Sequence, residues 1–104
     1  MITGRVHPGE SNSSWMMQGF IRAIMSGSMQ ARALRKRIVF KIVPMMNVDG
    51  VIIGNYRTSM SGNDLNRKFH APDSRVHPEV SAVKDLIADI VYGKPKVMSP
   101  DDWN

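Results

Sequence analysis

The stretch ITGRVHPGESNSSW, residues 2–15, decides the fold, because it holds a strand signal, a turn and a helix start in immediate succession. Residues 2–6 are typical of a short strand, and Pro8 and Gly9 favour a turn directly after it. The Ser and Asn residues that follow are good helix N-caps, and apolar residues then recur at helical spacing. The stretch therefore predicts a strand–turn–helix unit, with the helix over roughly residues 12–26 and with His7 and Glu10 in the turn.

Beyond residue 26 the alternation of helix and strand signals continues along the chain. The pattern predicts a short basic helix over residues 30–37, a buried strand over 38–43 and an extended segment over 51–53. A long loop over 54–72, a second clear helix over 77–92 and a final strand over 95–98 follow. Strands that alternate with helices over short links indicate the α/β class, with a partial, parallel or mixed sheet flanked by helices. The first strand would deliver His7 to the carboxyl edge of that sheet, where open α/β sheets place their sites.

Length and composition limit the kinds of protein that this chain can form. Its 104 residues fit one domain at most, and 42% hydrophobic residues is ordinary for a globular protein. The absence of cysteine excludes disulfides and thiolate metal sites, so His, Asp or Glu must hold any metal. No apolar run approaches the ~20 residues that cross a bilayer, and Met1–Arg5 is no secretory signal. We therefore expect a cytoplasmic protein with no membrane partner.

Positive charge is concentrated in the first part of the chain. Residues 1–75 hold eleven Lys and Arg against four Asp and Glu, whereas residues 76–104 hold three against five. A basic surface suits an acidic partner, such as nucleic acid, an anionic membrane or an acidic peptide, and the plain alternative is a solvated face. The basic cluster at residues 32–37 comes with no zinc finger, aromatic RNA-binding pattern or helix-turn-helix signature, so we expect no nucleic-acid partner.

The turn after the first strand contains a His-x-x-Glu pair. His7 and Glu10 can aim an imidazole and a carboxylate at one point, and zinc accepts both ligand types at ~2.0–2.2 Å. The same spacing also occurs by chance, and a catalytic zinc takes three protein ligands. The other histidines are His70, in the long loop, and His77, beside Pro78 where a helix-capping or surface role is expected. The residues alone therefore predict no complete site with two histidines and a glutamate.

The long loop holds two arginines and an asparagine that are suited to binding a carboxylate. Arg57 and Arg67 present rigid guanidinium groups that match a carboxylate in shape, and Asn66 can donate a further hydrogen bond. Such residues can clamp the terminal carboxylate of a peptide. The alternative, which the residues alone leave open, is the ordinary polarity of a solvent-exposed loop.

Four blocks of sequence together resemble the cytosolic carboxypeptidases, a group of zinc metallocarboxypeptidases that includes the tubulin deglutamylases. The blocks occur in the order and at the spacing of that family, and the similarity extends from about Ile2 to about Val97. The second block departs at Val48, where the family usually has proline. The four blocks are Arg5–Trp15, Lys41–Val51, Gly54–Arg57 and Ser61–Arg67.

The resemblance implies a function and a role for each matching residue. His7 and Glu10 match the first two zinc ligands, so Zn²⁺ is the implied cofactor. Arg57 matches the arginine that stabilises the oxyanion, and Asn66 and Arg67 match the pair that holds the substrate's terminal carboxylate. The implied activity is removal of C-terminal residues, including glutamate, from proteins or peptides, and tubulin is an implied substrate. The implied fold is a mixed α/β sheet flanked by helices.

Departures from the family pattern limit what the resemblance implies. The family's third ligand, a histidine in an Asp-x-His-Gly-His motif, would follow a strand that starts near Lys96, but the chain continues as Met98–Asn104. The general-base glutamate of the family lies further downstream, and its leading β-rich domain has no counterpart here. We therefore expect residues 1–97 to be the N-terminal part of a catalytic domain, inactive alone, and residues 98–104 to be a polar tail. The alternative is a non-catalytic, degenerate remnant that binds acidic protein tails.

Overall fold

The computed structural model describes residues 1–93, in which helices and two short strands alternate along the chain. A single 3-10 turn interrupts the long loop that precedes the last helix. The elements are β1 (Ile2–Thr3), α1 (Asn12–Met25), α2 (Met29–Arg37), β2 (Ile42–Val43), α3 (Val48–Ile53), the 3-10 turn (Leu65–Arg67) and α4 (Pro78–Tyr92). The helices predicted over residues 12–26, 30–37 and 77–92 are confirmed to within one residue at each end.

The two strands form a parallel pair, which confirms the α/β class. Ile2 lies opposite Ile42 and Thr3 opposite Val43. Parallel strands leave a sheet at the same edge, so the turn after β1 and the segment after β2 lie side by side. Hydrogen bonds continue between them beyond the strands: the Met46 amide donates to the carbonyl of Gly4 at 2.9 Å.

Both strands are shorter than the sequence predicts. The strand expected over residues 2–6 ends at Thr3, because the Arg5 backbone has a φ of +52° and its amide donates to the Ser13 hydroxyl instead of to a strand. The strand expected over residues 38–43 is paired only at Ile42–Val43, since β1 offers no partner for the residues before it. The strand predicted over residues 95–98 lies outside the described residues, as does the polar tail.

The extended segment predicted over residues 51–53 is wrong, because these residues form the second half of α3. The Asn47 side chain caps this helix, its Oδ1 accepting a hydrogen bond from the Gly50 amide at 3.0 Å. Gly54 ends the helix in the left-handed conformation, with a φ of +87°. A good cap at each end outweighs the strand preference of Val51, Ile52 and Ile53 in so short an element.

A small core holds the long loop against the last helix. Leu65 and Val80 are fully buried, and Met46 and Val83 complete the buried cluster. Leu65 therefore fixes the 3-10 turn to α4, and through Met46 to the segment after β2. Within residues 1–93, no helix combines the length and the apolar character that a membrane span requires.

Candidate active site

The imidazole of His7 lies between two carboxylates. Its Nδ1 is 3.0 Å from Oε1 of Glu10, and its Nε2 is 3.1 Å from Oδ1 of Asp64. The His7 side chain is 9% exposed, whereas that of Glu10 is 48% exposed. The ring is therefore held from both sides, with one nitrogen directed to the solvent-facing carboxylate and the other to the more buried one.

Asp64 connects this histidine to the long loop. Its Oδ1 also accepts a hydrogen bond from the Asn66 amide at 2.9 Å, and its Oδ2 accepts one from Nε of Arg57 at 2.8 Å. Desolvation acts to raise the pKa of Asp64, but the hydrogen bonds from His7, Arg57 and Asn66 and the positive charge of Arg57 together lower it. Asp64 is therefore an anion that orients both His7 and Arg57.

Close packing fixes the backbone of the His7–Glu10 turn. The Gly9 amide donates to the Tyr56 carbonyl at 2.7 Å, and the Tyr56 ring lies so close that a Cβ on Gly9 would overlap it. On another side, a Cβ on Gly50 would come within 2.5 Å of Cγ of Pro8. The turn is thus fixed to the residue that precedes Arg57 and to α3.

The structure brings His7, Glu10 and Arg57 into one hydrogen-bonded group. Nε of Arg57 is engaged by Asp64, and in the hydrogen bonds of residues 1–93 its two terminal nitrogens take no part. Asn66 and Arg67, on the 3-10 turn, are exposed, and the one hydrogen bond of the Arg67 side chain in that range is a long one, 3.4 Å, to the carbonyl of Asn66. All three predicted carboxylate-binding side chains therefore have polar groups that are accessible to a ligand.

The remaining histidines lie apart from this group. His70 is exposed, and its carbonyl accepts a hydrogen bond from Nζ of Lys84. His77 is buried at the start of α4, where its Nδ1 accepts a hydrogen bond from the Asp73 amide at 3.2 Å. His77 occupies the N-cap position of α4, as considered from the sequence, but its side chain makes no capping hydrogen bond, and its burial shows that the surface role is wrong.

The separation of Nδ1 of His7 and Oε1 of Glu10 is compatible with two ligands of one metal ion. Two ligand atoms on a tetrahedral zinc lie roughly 3.3 Å apart, given bonds of ~2.0–2.1 Å. The observed 3.0 Å between Nδ1 and Oε1 is close to that value. Asp64 contacts the opposite nitrogen, across the ring, and so cannot join the same cation. Accordingly, no group of three or more metal-binding side chains converges within residues 1–93.

The sequence analysis missed Asp64, although a signal for it was present. A metal-ligating histidine almost always donates its other ring N–H to a carboxylate, a carbonyl or water. The candidate ligand His7 therefore required a partner, and Asp64 lies in the same sequence block as Asn66 and Arg67. The sequence alone did not indicate which acidic side chain contacts His7, because Asp64 lies 57 positions further along the chain.

Comparison with known proteins identifies the family. The sequence profile of the zinc carboxypeptidases matches residues 1–96, nearly the whole chain. The chain belongs to the zinc carboxypeptidase family. Among the relatives of this chain, cytosolic carboxypeptidase 1 of Danio rerio is 51% identical over 86 residues, which cover 83% of this chain and 8% of the relative. Cytosolic carboxypeptidase 3 of Mus musculus is 49% identical over 101 residues, which cover 97% of this chain and 10% of the relative.

Solved metallocarboxypeptidases share the fold of this chain. The metallo-carboxypeptidase from Burkholderia cenocepacia superposes with a TM-score of 0.81 at 44% identity, over 86% of this chain and 25% of that one. The metallo-carboxypeptidase from Pseudomonas aeruginosa, in complex with (2-guanidinoethylmercapto)succinic acid, superposes with a TM-score of 0.71 at 33% identity. The match covers 83% of this chain and 23% of that one. The chain thus spans about a tenth or less of the length of these relatives and about a quarter of these solved carboxypeptidases.

Adding a methyl group at Gly9 tests the packing of the His7–Glu10 turn. We expect Gly9→Ala to lower the free energy of unfolding by about 1–3 kcal/mol, because the new Cβ forces the Tyr56 ring or the turn to move. The double variant Gly9→Ala/Tyr56→Ala, which lacks the ring, should recover most of the stability lost in Gly9→Ala. Urea unfolding measures both. The control is Gly19→Ala in α1, where a Cβ meets no atom within 4 Å; a double variant less stable than Gly9→Ala would contradict the account.

The lowered pKa of Asp64 predicts a dependence of stability on pH. A lowered pKa in the folded state stabilises the fold above the ordinary value of 3.8, and this contribution is lost as the pH falls through the folded pKa. The difference in unfolding free energy between wild type and Asp64→Asn should therefore be largest near neutral pH and shrink below pH 3.8. Urea unfolding across this range measures it, with the exposed Asp85→Asn as control. A difference in unfolding free energy that grows as the pH falls would contradict the lowered pKa of Asp64.

Proposed function

We propose that this chain provides the zinc-binding and carboxylate-binding part of a metallocarboxypeptidase active site that removes C-terminal residues from proteins or peptides. The observation that carries the proposal is the position of the His7 ring. Asp64 engages its Nε2, which leaves Nδ1 directed to the Glu10 carboxylate at 3.0 Å. Membership of the zinc carboxypeptidase family supports the same assignment.

His7 and Glu10 are the proposed zinc ligands, through Nδ1 and a carboxylate oxygen. The donor types and their separation fit zinc, and the Asp64–His7 hydrogen bond is the usual outer partner of a ligating histidine. When bound there, zinc supplies a water of lowered pKa and polarises the scissile carbonyl. Since only two such ligands converge within residues 1–93, we propose that the 104 residues alone bind zinc weakly and do not turn over peptides.

Arg57 is the proposed group that stabilises negative charge on the scissile carbonyl oxygen. Its Nε is fixed at 2.8 Å by Asp64, the same carboxylate that holds Nε2 of His7, and its terminal nitrogens take no part in the hydrogen bonds of residues 1–93. A donor held in advance is worth more than a mobile one, because it needs no reorganisation when the charge develops. Removing one such donor typically costs ~2.7–4 kcal/mol of barrier.

Asn66 and Arg67 are the proposed anchor for the free carboxylate of the last residue. Both are exposed, and both lie on the 3-10 turn that Asp64 begins and that the buried Leu65 fixes. Anchoring the terminal carboxylate at a fixed distance from the reacting carbonyl limits cleavage to the last residue. The solved relative from Pseudomonas aeruginosa holds a succinic acid derivative, a dicarboxylic acid, which supports carboxylate recognition in the family.

Acidic protein tails, such as those of tubulin, are the proposed substrates, with glutamate as the residue removed and the cytosol as the compartment. Residues 11–48 hold six Lys and Arg and no Asp or Glu, and the ion pairs of residues 1–93 use none of the six. The relatives are named cytosolic carboxypeptidases, which supports the compartment. The same uncompensated charge favours a second candidate function, the binding of acidic tails without catalysis.

Removing either proposed ligand tests the metal site directly. We expect His7→Ala and Glu10→Ala each to weaken Zn²⁺ binding to this chain by more than about tenfold, because loss of even an outer partner of a ligand costs ~10–100-fold. Isothermal titration calorimetry measures the affinity. His70→Ala, which removes an exposed histidine, is the matched control and should bind as wild type does. An equal loss of Zn²⁺ affinity in all three variants would contradict the assignment of His7 and Glu10 as ligands.

A chimera tests the peptidase function. The segment of the Burkholderia cenocepacia enzyme that matches this chain is replaced by the chain's own residues, and hydrolysis of peptides that end in glutamate or alanine is measured. We expect turnover, with Arg57→Ala lowering kcat about 10²–10³-fold and Arg67→Ala mainly raising KM. The control is the exposed Arg75→Ala.

The outcomes of the chimera experiment separate the two candidate functions. Faster cleavage after glutamate supports the acidic substrate, and equal rates for the two peptides refute it. A folded chimera that binds glutamate-ended peptides but cleaves none supports tail binding without catalysis.

A further inference from the structure

Arg5 adopts a backbone conformation that side chains other than glycine seldom take. Its φ is +52°, and within residues 1–93 it is the one non-glycine residue with a positive φ. In this left-handed region the Cβ crowds the following carbonyl, and such strain persists only where the surrounding structure compensates for it. Glycine would fit this position without strain. The presence of arginine therefore indicates that its side chain is needed.

The side chain of Arg5 joins the His7–Glu10 turn to the first helix. Its Nε donates to the Pro8 carbonyl at 2.7 Å, and its Nη1 donates to the Ser14 hydroxyl at 2.7 Å. The backbone of Arg5 adds two further links: its amide donates to the Ser13 hydroxyl at 2.8 Å, and its carbonyl accepts from the Asn47 amide at 3.2 Å. One partly buried residue thus connects the strand end, the turn, α1 and the segment after β2.

These links fix the relative positions of the two proposed zinc ligands. His7 and Glu10 lie at opposite ends of a four-residue turn, and the Pro8 carbonyl held by Arg5 lies between them. Ser13 and Ser14 lie in the first turn of α1, three and four residues after Glu10.

We propose that Arg5 is a positioning residue that pre-orders the His7–Glu10 turn so that Nδ1 and the carboxylate converge before a metal binds. The inference rests on the proposed zinc site and adds a requirement to it. The planar guanidinium spans two acceptors with its Nε and Nη1, whereas a lysine ammonium at the same place is a single point donor. Positive charge alone therefore does not replace it.

The test measures the affinity of the 104-residue chain for Co²⁺, followed by NMR line broadening near residue 7, together with urea unfolding of the metal-free chain. Arg5→Gly relieves the backbone strain but removes the guanidinium. Arg5→Lys keeps the positive charge but lacks the planar group that donates to two acceptors. We expect both variants to bind Co²⁺ about tenfold more weakly than wild type, the size of effect typical of an outer partner. We expect Arg5→Gly to unfold near the wild-type midpoint. Arg75→Gly, at an exposed loop arginine, is the control and should leave the affinity unchanged.

Each result has a distinct meaning. Wild-type affinity in Arg5→Gly or in Arg5→Lys overturns the inference while leaving the zinc site intact. A wild-type chain whose Co²⁺ response does not depend on His7 overturns the proposed metal site itself. Should both Arg5 variants fail to fold, Ser14→Ala removes only the Nη1 acceptor; a weaker Co²⁺ affinity at unchanged stability supports the inference, and an unchanged affinity overturns it.

Discussion

The Asp64 carboxylate accepts hydrogen bonds from His7, from Arg57 and from the Asn66 backbone, three groups that come from two separate loops. Because one anion serves all three, the orientation of the imidazole, the position of the guanidinium and the shape of the 3-10 turn are not independent. The side of the His7 ring that Asp64 leaves free is the side on which Glu10 lies. The zinc-ligand role proposed for His7 depends on that division of the two ring nitrogens.

Packing at a distance from the site makes this arrangement possible. The parallel pairing of β1 and β2 brings the turn after one strand beside the segment after the other. Leu65, which follows Asp64 directly, is fully buried against α4, so the carboxylate projects from a fixed backbone. Gly9 and Tyr56 then fix the His7–Glu10 turn to the loop that carries Arg57. The side chains of Glu10, Arg57, Asn66 and Arg67 are exposed, whereas Leu65, between Asp64 and Asn66, is fully buried.

The sequence predicted α1, α2, α4 and the α/β class because amphipathic periodicity and turn residues act locally. It overestimated both strands, since the length of a strand depends on how many residues its partner pairs. It assigned Val51–Ile53 as extended, because the caps from Asn47 and Gly54 outweigh side-chain preference in a short helix. In the site, the motifs predicted roles for His7, Glu10 and Arg57, which remain predictions, whereas the hydrogen bonds of Asp64 and Arg5 depend on contacts that only the folded chain brings together.

The central claim is that Asp64 holds Nε2 of His7, which leaves Nδ1 free to bind the proposed zinc ion. The most direct measurement is the ¹⁵N chemical shift of both ring nitrogens of His7 in the Zn²⁺-loaded chain, compared between wild type and Asp64→Asn. The account predicts that in wild type Nε2 keeps its proton and Nδ1 shows the shift of a metal-bound nitrogen. A proton on Nδ1, or a metal-bound Nε2, would contradict it.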